Sequence, residues 1–167
     1  DPAIVKAEMD DLNDDGYKEL IFGVNSGFSL YPRNIFAYDL HNMKCLSSPY
    51  LGFTVNSIIQ KDITGDGKNE ILMQGHGPDN IKDTTIKYHD RSTWLMVLDR
   101  NLNFLFNPKE FKGANMQLWP FVFENQKSRN QAGYYVKSTD INEDLKICLF
   151  SKEGEIAKEK SFQGIKS

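Results

Sequence analysis

The chain has 167 residues, 40% hydrophobic and 12% aromatic, which suits a folded domain with a core and not a disordered chain. Lys and Arg number 20 against 23 Asp and Glu, so no basic excess exists to neutralise phosphates and nucleic acid is not an expected partner. No apolar run reaches the ~20 residues of a membrane helix, so membrane insertion within this chain is not expected.

The chain opens at Asp1 with no visible leader, and the expectation is a removed leader or an excerpt of a larger parent protein. The first informative segment is Asp11–Glu19, DLNDDGYKE. It places oxygen-bearing side chains at every second position: Asp11, Asn13, Asp15 and Glu19. Tyr17 can add its backbone carbonyl, and Gly16 lets the chain turn sharply around an ion. Hard oxygen donors in a flexible acidic loop suit Ca2+, whereas zinc prefers nitrogen and sulfur and magnesium demands strict octahedral geometry. A strand-like run follows at once in Leu20–Val24, then a polar loop, then Asn34–Leu40, a turn DLHNMK and Cys45–Tyr50.

The same order returns 51 residues later, from Asp11 to Asp62. The second loop offers Asp62, Thr64, Asp66 and Glu70, the Lys68 carbonyl, and Gly67 at the turn. Thr64 stands where the first loop has Asn13, which makes the second loop the poorer ligand set. The expected strands of this copy are Val55–Lys61, Glu70–Gln74, Thr93–Leu98 and Phe104–Phe106, rich in β-branched and aromatic residues.

A fainter third copy has Gly133–Ser138, Lys146–Phe150, the turn SKEGE and Ile156–Phe162. Asp140, Asn142 and Asp144 resemble the start of a loop, but Leu145 takes the glycine place and Cys148 the ninth, so they read as an ordinary acidic turn. No segment sustains a 3.6-residue apolar period, and almost no helix is expected. Four short strands in about 50 residues is the size of a propeller blade. The expected fold is therefore all-β, with about three four-stranded antiparallel blades at 1–52, 53–113 and 114–167. Three blades are too few to close a propeller, so further blades or association of copies is expected.

The loops are not EF-hands, because position twelve falls on Phe22 or Met73 inside an expected strand rather than on a bidentate Glu. DLNDDGYKELIFG and DITGDGKNEILMQG instead resemble the calcium loops of FG-GAP and VCBS repeats, which build integrin-α-type and bacterial extracellular propellers. The resemblance implies metal ligands at Asp11, Asn13, Asp15, Tyr17 and Glu19, and at Asp62, Thr64, Asp66, Lys68 and Glu70. Thr64 departs from the family's usual acidic or Asn choice. The resemblance also implies an extracellular, cell-surface or periplasmic location.

The remaining residues speak more softly. The three histidines, His41, His76 and His89, form no metal spacing with one another or with a cysteine, and no nucleophile-elbow or HExxH motif is present. Cys45 and Cys148 read as two buried strand thiols, with their pairing undetermined. Trp94 reads as core, and Trp119 and Phe121 as core or edge of a blade. The loop Gly77–Ser92 is the longest insertion and should project from the end opposite the metal loops. Beside it should lie Ser26–Arg33. Phe28, Tyr31, Arg33 and His89 are thus the expected recognition residues for a protein or carbohydrate ligand.

Three functions stay open on these grounds. The chain is a binding or adhesion module with structural calcium, a sensing or accessory domain of a larger cell-surface signalling or polysaccharide-handling protein, or a propeller-type lyase or glycosidase. The resemblance supports the first two through architecture alone, and a carboxylate pair for the third need only meet in space.

Overall fold

The computed structural model describes residues 3–25, 33–80, 82–83, 85–112, 117–123, 131–137 and 145–162, with 117–123 and 131–137 described as backbone. Among the described residues there is no helix, and every strand pairing is antiparallel.

The first repeat is a four-stranded meander of β1 (Ala3–Asp10), β2 (Glu19–Asn25), β3 (Asn34–Asp39) and β4 (Lys44–Ser47), ordered as they follow in the chain. β2 and β3 alternate strictly, with Ile21, Ile35 and Ala37 buried on one face and Phe22 and Phe36 half-buried on the other. That alternation is what the two-residue period of a pleated strand requires.

The second repeat begins alike, with β5 (Thr54–Lys61) paired to β6 (Glu70–His76). The likeness extends to a defect. The register slips between Ile4 and Lys6 on β1 and between Val55 and Ser57 on β5, the same place in each repeat.

The second repeat then departs from the simple meander. The expected strand Thr93–Leu98 divides at Met96 into β7 (Ser92–Leu95) and β8 (Val97–Leu98). Only β8 stays on β6, through Ile71↔Leu98 and Leu72↔Val97, while β7 turns away to pair with β9 (Lys109–Lys112). The expected strand Phe104–Phe106 is reduced to a single bridge, Leu98↔Phe104, with the Leu105 N–H bonded to the Val97 carbonyl at 2.9 Å.

The edge of β6 that β7 leaves open is taken by the third repeat. β10 (Gln117–Phe123) pairs with β6 through Gln117↔His76 and Leu118↔Gly75. β11 (Gln131–Lys137), β12 (Leu145–Phe150) and β13 (Ile156–Phe162) continue from β10, so the second and third repeats share one seven-stranded sheet. The expected third-copy strands all appear, but fused to the second copy by hydrogen bonds. Among the described residues the two larger sheets stay open, with β1, β4, β5 and β13 at their edges.

Two cores join the repeats. One gathers Ile21, Ile35 and Ala37 of the first repeat against Ile58, Ile71 and Met73 of the second. The other gathers Leu72, Leu95 and Val97 of the second against Cys148 and Phe150 of the third. Successive residues of β6 therefore serve opposite neighbours. Trp94 is buried as expected, its indole N–H bonded to the His89 carbonyl at 2.8 Å. The thiols differ from expectation, because Cys148 is buried but Cys45 is exposed on the edge strand β4, and both are free.

Candidate metal centre

The β1–β2 connection folds around its own carboxylates. Asp11 accepts the backbone N–H groups of Asp15 and Gly16 at 3.2 and 2.9 Å, and Asp15 accepts that of Tyr17 at 2.8 Å. Glu19 reaches back from the start of β2 to accept the Leu12 N–H at 2.7 Å and the Asn13 side-chain amide at 3.2 Å. Asp14 and Gly16 both lie in the left-handed region, with φ of 60° and 87°. Asp tolerates that region because its short side chain bonds locally, and Gly because it has no Cβ.

The β5–β6 connection has closely similar wiring, although Asp62 takes the N–H of the fourth loop residue where Asp11 takes that of the fifth. Asp62 accepts the N–H groups of Gly65 and Gly67, Asp66 that of Lys68, and Glu70 those of Ile63 and Thr64. Gly65 and Gly67 have φ of 84° and 85°. The Thr64 hydroxyl donates to Glu70 at 3.3 Å, in the place of the Asn13 amide. In both loops the ninth residue is buried and the fifth exposed, so each loop has a sheltered floor and an open mouth.

The first loop has a partner that the loop sequence does not contain. Asp39, the last residue of β3, brings a carboxylate oxygen within 4.8 Å of ligand atoms of both Asp15 and Glu19. Oxygens bound to one calcium sit about 2.3–2.6 Å from it, so any two lie at most about 5 Å apart. The three carboxylates meet that limit. Asn42 braces them, its side-chain amide donating to Asp39 at 2.8 Å and to Asp15 at 3.3 Å. A strand ending in Asp was visible in the sequence, but it read as a turn residue. The matching residue of the second repeat, Asp99, serves its own turn by accepting the N–H groups of Asn101 and Asn103.

Electrostatics separates the floor from the rim. Burial pushes the Glu19 carboxyl above its usual range, and the charges of Asp39, Asp15 and Asp11 add to the rise against the opposing Leu12 N–H. Burial likewise raises Glu70, with the charges of Asp66 and Asp62 adding to it. A bound cation would relieve both effects, since it compensates buried and mutually repelling carboxylates. The donors are oxygens throughout, so these residues fit calcium.

The two loops also hold each other. Lys68 donates to Asp14 at 2.8 Å, and Arg100, from the turn after β8, bonds both Asp14 oxygens at 2.7 and 2.8 Å. The Arg100 and Lys68 side chains hold the Asp14 carboxyl well below the usual carboxylate range. Arg100 further donates to the Asp11 carbonyl at 3.0 Å, and the Asn69 amide to Asp10 at 3.0 Å. Beside this junction opens a cleft of about 590 Å³, lined among others by Glu19, Asp39, Lys44, Lys68 and Arg100. Tyr17, itself exposed, stacks on His41 at 3.9 Å.

The expected recognition face fares differently. Strand order places the Gly77–Ser92 loop at the end of β6 opposite its metal loop. Arg33 does lie against that loop, but its side chain is buried. It donates to Asp90 at 3.1 Å and to the Gly52 carbonyl at 2.9 Å, and only 1% of its surface is exposed. Arg33 is therefore an internal strut and not a contact for a ligand. Gly52, at φ 76°, lies so close to the Tyr88 carbonyl that a Cβ would overlap it. His89 packs edge-on against Trp94 at 5.6 Å, with its Nε2 3.7 Å from Glu110. Phe28, Tyr31 and the third-copy turn of Asp140, Asn142 and Asp144 lie outside the described residues, as do the side chains of Trp119 and Phe121.

The chain matches no family model, no curated protein and no solved structure. The likeness to FG-GAP and VCBS repeats therefore stands on the residues of the two loops alone.

Proposed function

We propose that this chain is a calcium-binding module built of propeller-type β repeats, in which calcium ties the strand-joining loops at one end of the stack. The convergence of Asp15, Glu19 and Asp39 within 4.8 Å carries the reading. The similar wiring of the second loop supports a second site, poorer because among the described residues Asp99 does not join Asp66 and Glu70 as Asp39 joins Asp15 and Glu19. In this reading the module belongs to an extracellular, cell-surface or periplasmic protein, where calcium near millimolar fills sites of modest affinity. Its role is to present a surface to a protein or glycan, and the cleft beside the first loop is the surface on offer. No catalytic role is assigned.

The test is a thermal melt in calcium and in chelator, with magnesium as control. Ligand at 100 times its dissociation constant adds about 2.7 kcal/mol per site. For a chain of this size that is a rise of roughly 5–10 °C. A calcium-specific rise supports the proposal, and coincident melts in calcium and chelator overturn it.

A further inference from the structure

The repeats stack in one direction, and that direction leaves a face uncovered by the described residues. Ile71 and Met73 of β6 point toward the first repeat, and Leu72 points toward the third. Counted from the ninth loop residue, Ile21 holds the place of Leu72 and faces the next repeat in the same way. Leu20 and Phe22 hold the places of Ile71 and Met73. They therefore turn to the side where a preceding repeat would sit. Ile71 and Met73 are 0% exposed, whereas Leu20 and Phe22 are only half-buried.

The rest of that face has the same character. Phe36 stacks on Phe22 at 5.5 Å, and Tyr38 lies beside Leu20 in register. Ile4 and Met9 of β1 join them through Val24 and Leu20, exposed by 68% and 44%. At the other end of the stack, Cys148 and Phe150 turn inward, so Ile147 and Leu149 alternate onto the far face of the third repeat. Their register partners on β13 are Lys160 and Lys158.

We infer that a second copy of this chain docks head to tail, with the Ile147–Leu149 face of one third repeat on the Phe22–Phe36 face of another first repeat. The contact continues the packing of the first repeat on the second, where alternate residues of β2 pack on the next sheet. It also matches chemistry. An aromatic face suits lysines whose stems lie on apolar surface and whose ammonium groups sit over rings. Lys160 already stands 5.0 Å from the Phe162 ring. A head-to-tail contact closes into a ring when its rotation permits. The inference rests on the stacking of the repeats and not on the calcium reading, so its test runs in chelator.

Sedimentation velocity of the whole chain, from low to high micromolar, should show a species of twice the 19.1 kDa chain. Ala7→Arg, on the exposed outer side of β1, should give monomer. Lys158→Glu with Lys160→Glu, on exposed β13, should do the same. Each is a surface change that leaves the core alone. Mixing the two variants leaves one intact junction and should restore a two-chain species. Cys45, exposed and in register with Tyr38, should react with a thiol reagent at least tenfold more slowly in the dimer. A monomer at every concentration overturns the inference. So does a dimer indifferent to the β13 variant, which would mean a two-fold face-to-face contact.

Discussion

Asp15 of the first loop and Asp39 of β3 lie 24 residues apart in sequence, yet they present carboxylate oxygens within 4.8 Å of each other and share the Asn42 amide. Asp39→Asn removes one negative ligand while keeping the acceptor that holds the His41 and Asn42 N–H groups. Calcium binding at the first loop should weaken at least tenfold, which corresponds to about 1.4 kcal/mol. Asp99→Asn, at the matching place of the second repeat, should leave the isotherm unchanged. Calorimetric titration of both variants separates the two loops, and equal effects would remove Asp39 from the centre.

Asp14 offers a test of the contact between loops. Asp14→Asn keeps a residue that tolerates φ near 60° but removes the pairing with Lys68 and Arg100. The stability of the variant should fall short of the parent's at low salt and approach it at about 1 M salt, where the screening length is about 3 Å. The depressed Asp14 carboxyl also sets a pH direction. Its contribution is complete above the ordinary carboxylate range and is lost as pH falls through its own lower value. Melts across salt and acid pH would show both trends, and a deficit that persists unchanged in high salt would mean a backbone effect.

Arg33 should behave as a core residue. Breaking a buried ion pair by removing one partner costs about 3–5 kcal/mol. Arg33→Ala removes the guanidinium paired with Asp90, which also accepts the Asn80 N–H at 2.8 Å, and so loosens the loop that follows β6. Urea unfolding measures the loss. A change below about 0.5 kcal/mol, the range of surface substitutions, would contradict the burial.

His76 supplies a second pH dependence, of a different sign from an ion-paired histidine. Burial first, and then the Arg33 charge, lower its pKa from the ordinary value. Its Nδ1 lies 3.2 Å from the Asn56 amide, which suits a neutral ring accepting that N–H. The unfolded chain then binds a proton more readily than the folded one, so stability falls as pH drops below the usual histidine value of about 6.5. His76→Gln should flatten this slope in melts between neutral and mildly acidic pH. An unchanged slope would assign it to other groups.

Much of the architecture was readable from residues near one another in sequence. Runs of β-branched and aromatic residues between Gly, Asn, Asp and Pro marked β2, β3, β6 and β12, and the spacing of Asp, Gly and Glu marked both loops. What escaped depends on partners far along the chain. Met96 divides a run that looks continuous, because β7 finds β9 rather than β6. Asp39 joins the first loop only after β3 has folded back on β2. Arg33 looked like a surface contact, but Asp90, 57 residues on, takes its charge inside. Cys45 looked like a core thiol, and only the edge position of β4 exposes it.

The shared edge of β6 carries a consequence for the order of assembly. As the chain leaves the ribosome, Gly75 and His76 already have β5 on one side, but their other side waits for Gln117 and Leu118. Over that interval the nascent protein shows a short unsatisfied strand edge, of the kind that recruits foreign strands. A chain halted before β10 would keep that edge for good. Misassembly of such a fragment should therefore begin at the end of β6.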